Sequence, residues 1–215
     1  MKRAFTLAEV LITLGIIGVV AALTLPSVIH KVEDIHLRVL AKKIYSETAQ
    51  IIEDIQNEGT NINDFRTGDA GNFCIALSKY FKLECGIVSG KACDFSGNVS
   101  KYRTLDKTKI IDHFIMDDGN FTTKDNRMYF CEQQLSSTNP NINLFITVDI
   151  NGSAKPNILG RDLFTFWIDK QGFLKPMGSD DSLYPANKYC NRINSINSGS
   201  QGFGCMYNVL NNINY

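Results

Sequence analysis

From Val10 to Ile29 the chain runs for 20 residues without a charged side chain. As an α-helix that stretch is roughly 30 Å long, the thickness of a bilayer's hydrocarbon. Between Phe5 and Ile29 the one ionisable side chain is Glu9, whereas residues 31–215 carry 20 basic and 21 acidic side chains. The first thirty residues therefore follow the rules of an apolar solvent and the rest those of water. The remaining length suits one domain with its own core. With 13 Phe and 8 Tyr and only 20% charged residues, the composition argues against disorder. A formal net charge of zero with no long run of one sign argues against nucleic-acid binding.

Three readings of the N-terminal segment compete. A cleaved secretory signal would use Lys2 and Arg3 as its basic region, but the uncharged run is long for such a signal. Glu9 also interrupts its start, and no convincing A-x-A site comes after it. A plain single-pass anchor accounts for the length and gives no reason for Glu9.

The third reading accounts for all of these features. Lys2-Arg3-Ala4-Phe5-Thr6-Leu7-Ala8-Glu9-Val10-Leu11-Ile12 closely resembles the processing site of type IV pilins and pseudopilins. The resemblance implies that prepilin peptidase removes residues 1–4, cutting between Ala4 and Phe5, and methylates the new Phe5 amine. Glu9 then becomes the fifth residue of the mature chain. Gly15, Gly18 and Pro26 resemble positions that let the family's helix loosen during filament assembly. Ala4 departs from the family's usual Gly before the cut, and a small residue there implies slower but still feasible processing. Three further segments resemble a layout common to pseudopilin-like proteins: Asp117-Asp118-Gly119, the stretch from Val148-Asp149-Ile150-Asn151-Gly152 to Asp162, and Gly204-Cys205.

Elementary electrostatics supports a special role for Glu9. Ionised residues at the centre of a membrane helix cost on the order of 2.5–3.5 kcal/mol, and less towards its end. Cleavage would turn the Phe5 amide nitrogen into an ammonium four residues away. In a filament, a neighbouring subunit's ammonium could pair with Glu9 and set the stagger between subunits; pairing within its own helix is the simpler alternative. Lys2 and Arg3 place the N-terminus on the cytoplasmic side, so residues after His30 are expected outside.

Helical periodicity continues past the apolar run. Leu37, Leu40, Ile44, Ile51 and Ile55 form one stripe, and Asn57-Glu58-Gly59 supplies a stop. One helix from about Phe5 to Asn57, eased at Pro26, is expected. The organisation is then a leader (1–4), an assembly helix segment (5–29), its amphipathic continuation (30–57) and an extracytoplasmic domain (58–215).

In that domain Asn72 is placed to cap a short helix, Phe73 to Phe81. A Cys- and Gly-rich loop spans 83–100. Strands are expected at 109–116, 127–132, 144–150 and 163–169, with a short one at 173–175. Asp118-Gly119, Asn151-Gly152 and Lys170-Gln171-Gly172 serve as turns. Short spacings without helical crossovers predict an antiparallel sheet, so the fold class is α+β: a long N-terminal helix packed on an antiparallel sheet. The last 29 residues hold eight Asn and read as an irregular polar tail.

Six cysteines, an even number all outside the apolar segment, point to disulfides, with 15 conceivable connectivities. Cys190–Cys205 is the favoured pair because it closes a flexible Asn/Ser/Gly-rich loop; Cys85–Cys93 and Cys74–Cys131 complete the set. Asp149, Asn151 and Asp162 offer hard oxygen ligands for Ca²⁺, although Asn-Gly turns and strand-end Asp residues explain them without a metal. No other cofactor is expected. No catalytic or nucleotide-binding motif is present, and His113 reads as an ordinary strand residue, so an enzyme is not expected. The adjacent acids Asp117-Asp118 and Asp180-Asp181 suit turns.

The expectation is therefore a pilin or pseudopilin, a structural subunit of a type II secretion or type IV pilus-like filament. Its partners would be prepilin peptidase, copies of itself or other pilin-like subunits, and the cytoplasmic membrane, with no nucleic acid. The alternative is a monomeric membrane-anchored extracytoplasmic domain that binds a ligand through the 83–100 loop and the Asn-rich tail.

Overall fold

Helix α1 (Leu7–Asn57) runs unbroken through 51 residues in the computed structural model, which describes residues 6–66, 70–86, 89–90, 93, 98–134, 143–191 and 198–215. The chain divides into two units, 1–37 and 38–215. In the first, α1 exposes its apolar side chains on every side: Leu11, Ile12, Leu14, Ile16, Ile17, Val19 and Val20 are all more than half exposed. Pro26 lies inside the helix without ending it. Its ring removes only the usual donor to the Ala22 carbonyl, and the turns on either side keep the ladder. Thr24 Oγ and Ser27 Oγ add bonds to the carbonyls of Val20 and Thr24 (2.9 and 3.1 Å).

In the second unit α1 continues as an amphipathic helix. Ala41, Ile44, Thr48, Ile52 and Ile55 are its buried line, spaced by three and four residues. Leu40 and Ile51, expected in the stripe, sit half-buried on its flanks. The helix stops as expected: Gly59 takes a left-handed φ of 91°, and the Thr60 N–H reaches back to the Ile55 carbonyl.

A six-stranded antiparallel sheet comes next, in sequence order β1 (Leu83–Cys85), β2 (Gly119–Thr123), β3 (Met128–Gln134), β4 (Asn143–Asp149), β5 (Leu163–Ile168) and β6 (Leu174–Pro176). Because side chains alternate along a strand, the register Cys131–Ile146–Phe166–Pro176 defines one face. That face meets the helices. Tyr45 of α1 packs edge-on against Phe166 and donates to the Leu174 carbonyl. Tyr129 lies under Phe81, and Cys131 is bonded to Cys74 of α2 (Ala70–Ser78). The other face contributes Phe130, Phe145 and Leu163 to a second core with Tyr102, Ile111, Ile115, Met116, Leu159, Met177 and Phe203. Unit 2 thus has three layers: helices, sheet, and a largely irregular layer. The α+β architecture is the one the sequence implies.

Several local expectations are corrected. Residues 109–116 form no strand; Ile110 makes one isolated bridge to Arg103, and His113–Ile115 is a single 3-10 turn. Asp112 holds this segment to the C-terminal region, its backbone N–H bonding the Gly199 carbonyl and its carboxylate the Ser200 hydroxyl. Strand β2 begins at Gly119, where the sequence predicts only the Asp118-Gly119 turn, and it pairs with β3 through a turn at Asn126, whose φ is 68°. Helix α2 begins before Asn72, so Asn72 is an exposed interior position and not its cap. Asn151-Gly152 lies within a connection covering 150–162 and is not a two-residue hairpin.

The C-terminal stretch is not a polar surface tail. Gln201, Phe203, Cys205, Met206 and Val209 are buried, and Cys205–Leu210 is helix α4, preceded by the short α3 (Ala186–Tyr189). Residues 192–197, and 87–88, 91–92 and 94–97 of the Cys-rich loop, lie outside the described residues.

Candidate functional site

The residues singled out by the sequence fall in three places: the start of α1, the buried acids Asp149 and Asp162 with Asn151 beside them, and the disulfides. Ala4 and Phe5 lie outside the described residues. Glu9 is described, and it closes a reciprocal cap that the sequence reading missed. Thr6 is the N-cap: its hydroxyl oxygen accepts the Glu9 N–H at 3.3 Å, while Glu9 Oε2 accepts both the Thr6 N–H and the Thr6 hydroxyl at 2.8 Å. The signal was present as Thr6-x-x-Glu9 ahead of an apolar run, the S/T-x-x-E capping box. Glu9 therefore has a local duty in satisfying the helix's first free donors. Among the described residues the second carboxylate oxygen, Oε1, has no such partner.

Among the described residues of unit 1 none covers the apolar run of the helix, which is long and apolar enough to cross a membrane. A side chain added at Gly15 or Gly18 would meet no neighbour. So large a continuous apolar surface is stable only against lipid or other apolar helices.

The residues proposed for calcium form a latch. Asp162 accepts the N–H groups of Asn157 and Ile158, one on each carboxylate oxygen, both at 2.6 Å. Asp149 accepts the Tyr102 hydroxyl on Oδ2 and the Asn151 N–H, at 3.3 Å, on Oδ1. Both acids are fully buried. Burial pushes Asp149 up to about 8, with Tyr102 pulling it back and Asp162 adding to the rise. Burial likewise raises Asp162 to about 6 against the two backbone donors. The amide oxygens of Asn151 and Asn157 are buried in the same connection with no donor among the described residues, so neutral oxygen ligands are at hand. The carboxylates that would have to carry the charge, however, are engaged by a phenol and by backbone N–H groups. A hard dication does not fit unless the connection unlatches.

A second acid group was not legible in the sequence. Glu132 is 1% exposed, and its carboxylate lies with those of Asp117 and Asp118 in a group whose oxygens fall within 4.8 Å of one another. The Asp118 N–H reaches both Glu132 oxygens at 3.3 Å. Burial first, then the neighbouring Asp118 and Asp117, push Glu132 up to about 10, so it is a neutral acid at physiological pH. Hydrogen bonds within the group account for its arrangement.

The three disulfides are Cys74–Cys131, Cys85–Cys93 and Cys190–Cys205, the pairs named from the sequence. They tie α2 to β3, β1 to the loop behind it, and the end of α3 to the start of α4. Gly160 marks how closely the last of these packs. Its φ is +83°, and a Cβ there would sit 2.7 Å from Cys205 Sγ, so the two sequence-marked segments 148–162 and Gly204-Cys205 meet. No known family model, curated protein or solved structure matches this chain. What stands established is an apolar helix able to span a membrane once, and after it a disulfide-bonded β-sheet domain.

Proposed function

We propose that this chain is a pilin-like subunit, processed at the cytoplasmic membrane and polymerised through its N-terminal helix. The observation that carries the proposal is the pairing of a helix exposed along its whole apolar run with one carboxylate in its first turn, set behind the residues Lys2-Arg3-Ala4-Phe5. The capping box refines how Glu9 works. One oxygen serves its own helix through Thr6; the other is left to receive the Phe5 ammonium of a neighbouring subunit within an apolar bundle. Local capping and pairing between subunits are thus compatible roles of one side chain.

In this reading Lys2 and Arg3 hold the N-terminus in the cytoplasm, and unit 2 stands outside, where its three disulfides persist. The work is architectural and not enzymatic. The machine is a type II secretion pseudopilus or a type IV pilus-like filament.

Crosslinking in native membranes tests this, comparing wild type with Glu9→Ala. Ladders of crosslinked subunits are expected from wild type and should be lost in the variant, with membrane insertion unchanged. Glu9→Gln restores the cap's acceptor without the charge and should still fail to assemble. Equal ladders from all three proteins would refute the pairing, and a protein that never forms ladders would be a tethered monomer.

A further inference from the structure

A cleft of about 610 Å³ opens in unit 2 beside the β5–β6 turn. That volume lies in the range of small-molecule sites. Trp167, the chain's one tryptophan, is half-buried in its wall, beside the buried Phe145 that pairs with it across β4 and β5. Its Nε1 is covered and has no acceptor among the described residues. The part of the indole that reaches the cleft is therefore carbon, an apolar platform and not a hydrogen-bonding edge.

Around that platform stand the exposed Gln171 and Asp181, an amide and a carboxylate that between them donate and accept, while Asn63 and Ser182 are held in bonds to Arg66, Lys170, Gly178 and Ser179. The charges nearly cancel. Three cations, Arg66, Lys170 and Lys175, face two carboxylates, Asp169 and Asp181. Lys175 lies 3.7 Å from Asp169, and Arg66 is held by Asn63 and by the carbonyls of Ile168 and Asp169. Two of the three cations are thus already engaged, and Lys170, the third, is exposed to water, so no pair of convergent free cations is set for an anion. The cleft also lacks the mostly apolar lining of a hydrophobic-ligand site.

We infer that this cleft binds a neutral sugar, a pyranose whose C–H face stacks on Trp167 while its hydroxyls bond Gln171 and Asp181. An apolar ring face edged with hydroxyls is the chemistry that matches an indole face ringed by amide and carboxylate groups. The site is independent of the N-terminal helix, so it stands whether or not the chain assembles into a filament.

The single tryptophan is its own reporter. The full-length protein, held in a zwitterionic detergent without a sugar headgroup, is titrated with maltotriose, mannotriose and chitotriose, and separately with inorganic tripolyphosphate. A saturable change in Trp167 emission with at least one trisaccharide is expected. Gln171→Ala and Asp181→Ala, both at exposed positions, should each weaken that binding about three- to tenfold, the loss of one hydrogen bond, with thermal stability unchanged. Silence with all three sugars into the millimolar range would overturn the inference. So would a response to tripolyphosphate alone, which would make the cleft an anion site.

Discussion

Arg127, the residue just before β3, sets its guanidinium against Glu47 of α1 and Asp125 of the β2–β3 turn, each at 2.5 Å. The side chain is 14% exposed, so this bond ties the sheet to the helix where water is mostly excluded. Its carboxylate partners are more open, at 37% and 53%, which screens part of the attraction. Arg127→Ala should lower the stability of unit 2 by about 1–2 kcal/mol, and Arg127→Lys should recover part of it. Chemical denaturation of the three proteins measures this; an unchanged midpoint for the alanine variant would show that the tie contributes nothing.

Glu132 makes stability depend on pH with a definite sign. A carboxyl whose folded pKa lies above its unfolded value holds its proton more tightly in the native state. Its contribution is therefore full below about 4.5 and is lost as pH rises towards about 10. Asp149, raised to about 8, and Asp162, raised to about 6, act in the same direction. The melting temperature of the wild type should rise as pH falls from 8 to 5. Glu132→Gln keeps a neutral hydrogen-bonding group, so it should be more stable than wild type at pH 8 and show a shallower slope. A melting temperature that falls on acidification over this range would contradict the assignment.

The Cys190–Cys205 bond closes a 15-residue separation between α3 and α4. On the chain-entropy model such a loop contributes about 3 kcal/mol. For a domain of this size that corresponds to a melting-temperature drop of about 6–12 °C when both cysteines become alanine. Calorimetry on the double variant checks it. A shift of about a degree would mean that the tight packing of Gly160 on this corner, not the covalent closure, holds it.

Asp162 should prove structural and not a metal ligand. Asp162→Ala leaves the Asn157 and Ile158 N–H groups without their acceptors, at a cost of about 1–3 kcal/mol each if they stay buried. Calcium added to the wild type should leave its melting temperature unchanged. A calcium-dependent rise that the alanine variant loses would restore the metal reading.

The parts of this fold legible in the sequence were those written in strong local patterns. The uncharged run, the stripe ending at Ile55, the Gly59 stop and the apolar runs of β4 and β5 are all read from neighbouring residues alone. Of the cysteine pairs, Cys190–Cys205 was accessible because it closes a flexible loop, whereas nothing local in the sequence singles out Cys74–Cys131 or Cys85–Cys93 among the 15 connectivities. Features set by distant partners were not legible. Ile111, Ile115 and Met116 look like strand residues, yet they fill a core shared with Phe203, nearly ninety positions later. The Asn-rich C-terminus looked polar because Gly, Ser and Asn alternate with its few apolar residues, although 199–206 is buried without a break. Glu132 fits the alternation of β3 as any surface Glu would, and only the fold shows that this face is covered. The capping role of Glu9 is written in the sequence as Thr6-x-x-Glu9, a local pattern that holds whether or not the helix lies in lipid.

The most direct test of the filament reading is the intact mass and N-terminal peptide of the protein recovered from native membranes. A chain that begins at N-methyl-Phe5, lacking residues 1–4 and retaining the whole apolar helix, is the expected result. A chain that begins at Met1, or one cut beyond Ala22, would contradict it: the first leaves a plain anchored domain and the second a secreted one, and neither exposes the Phe5 ammonium that Glu9 is proposed to meet.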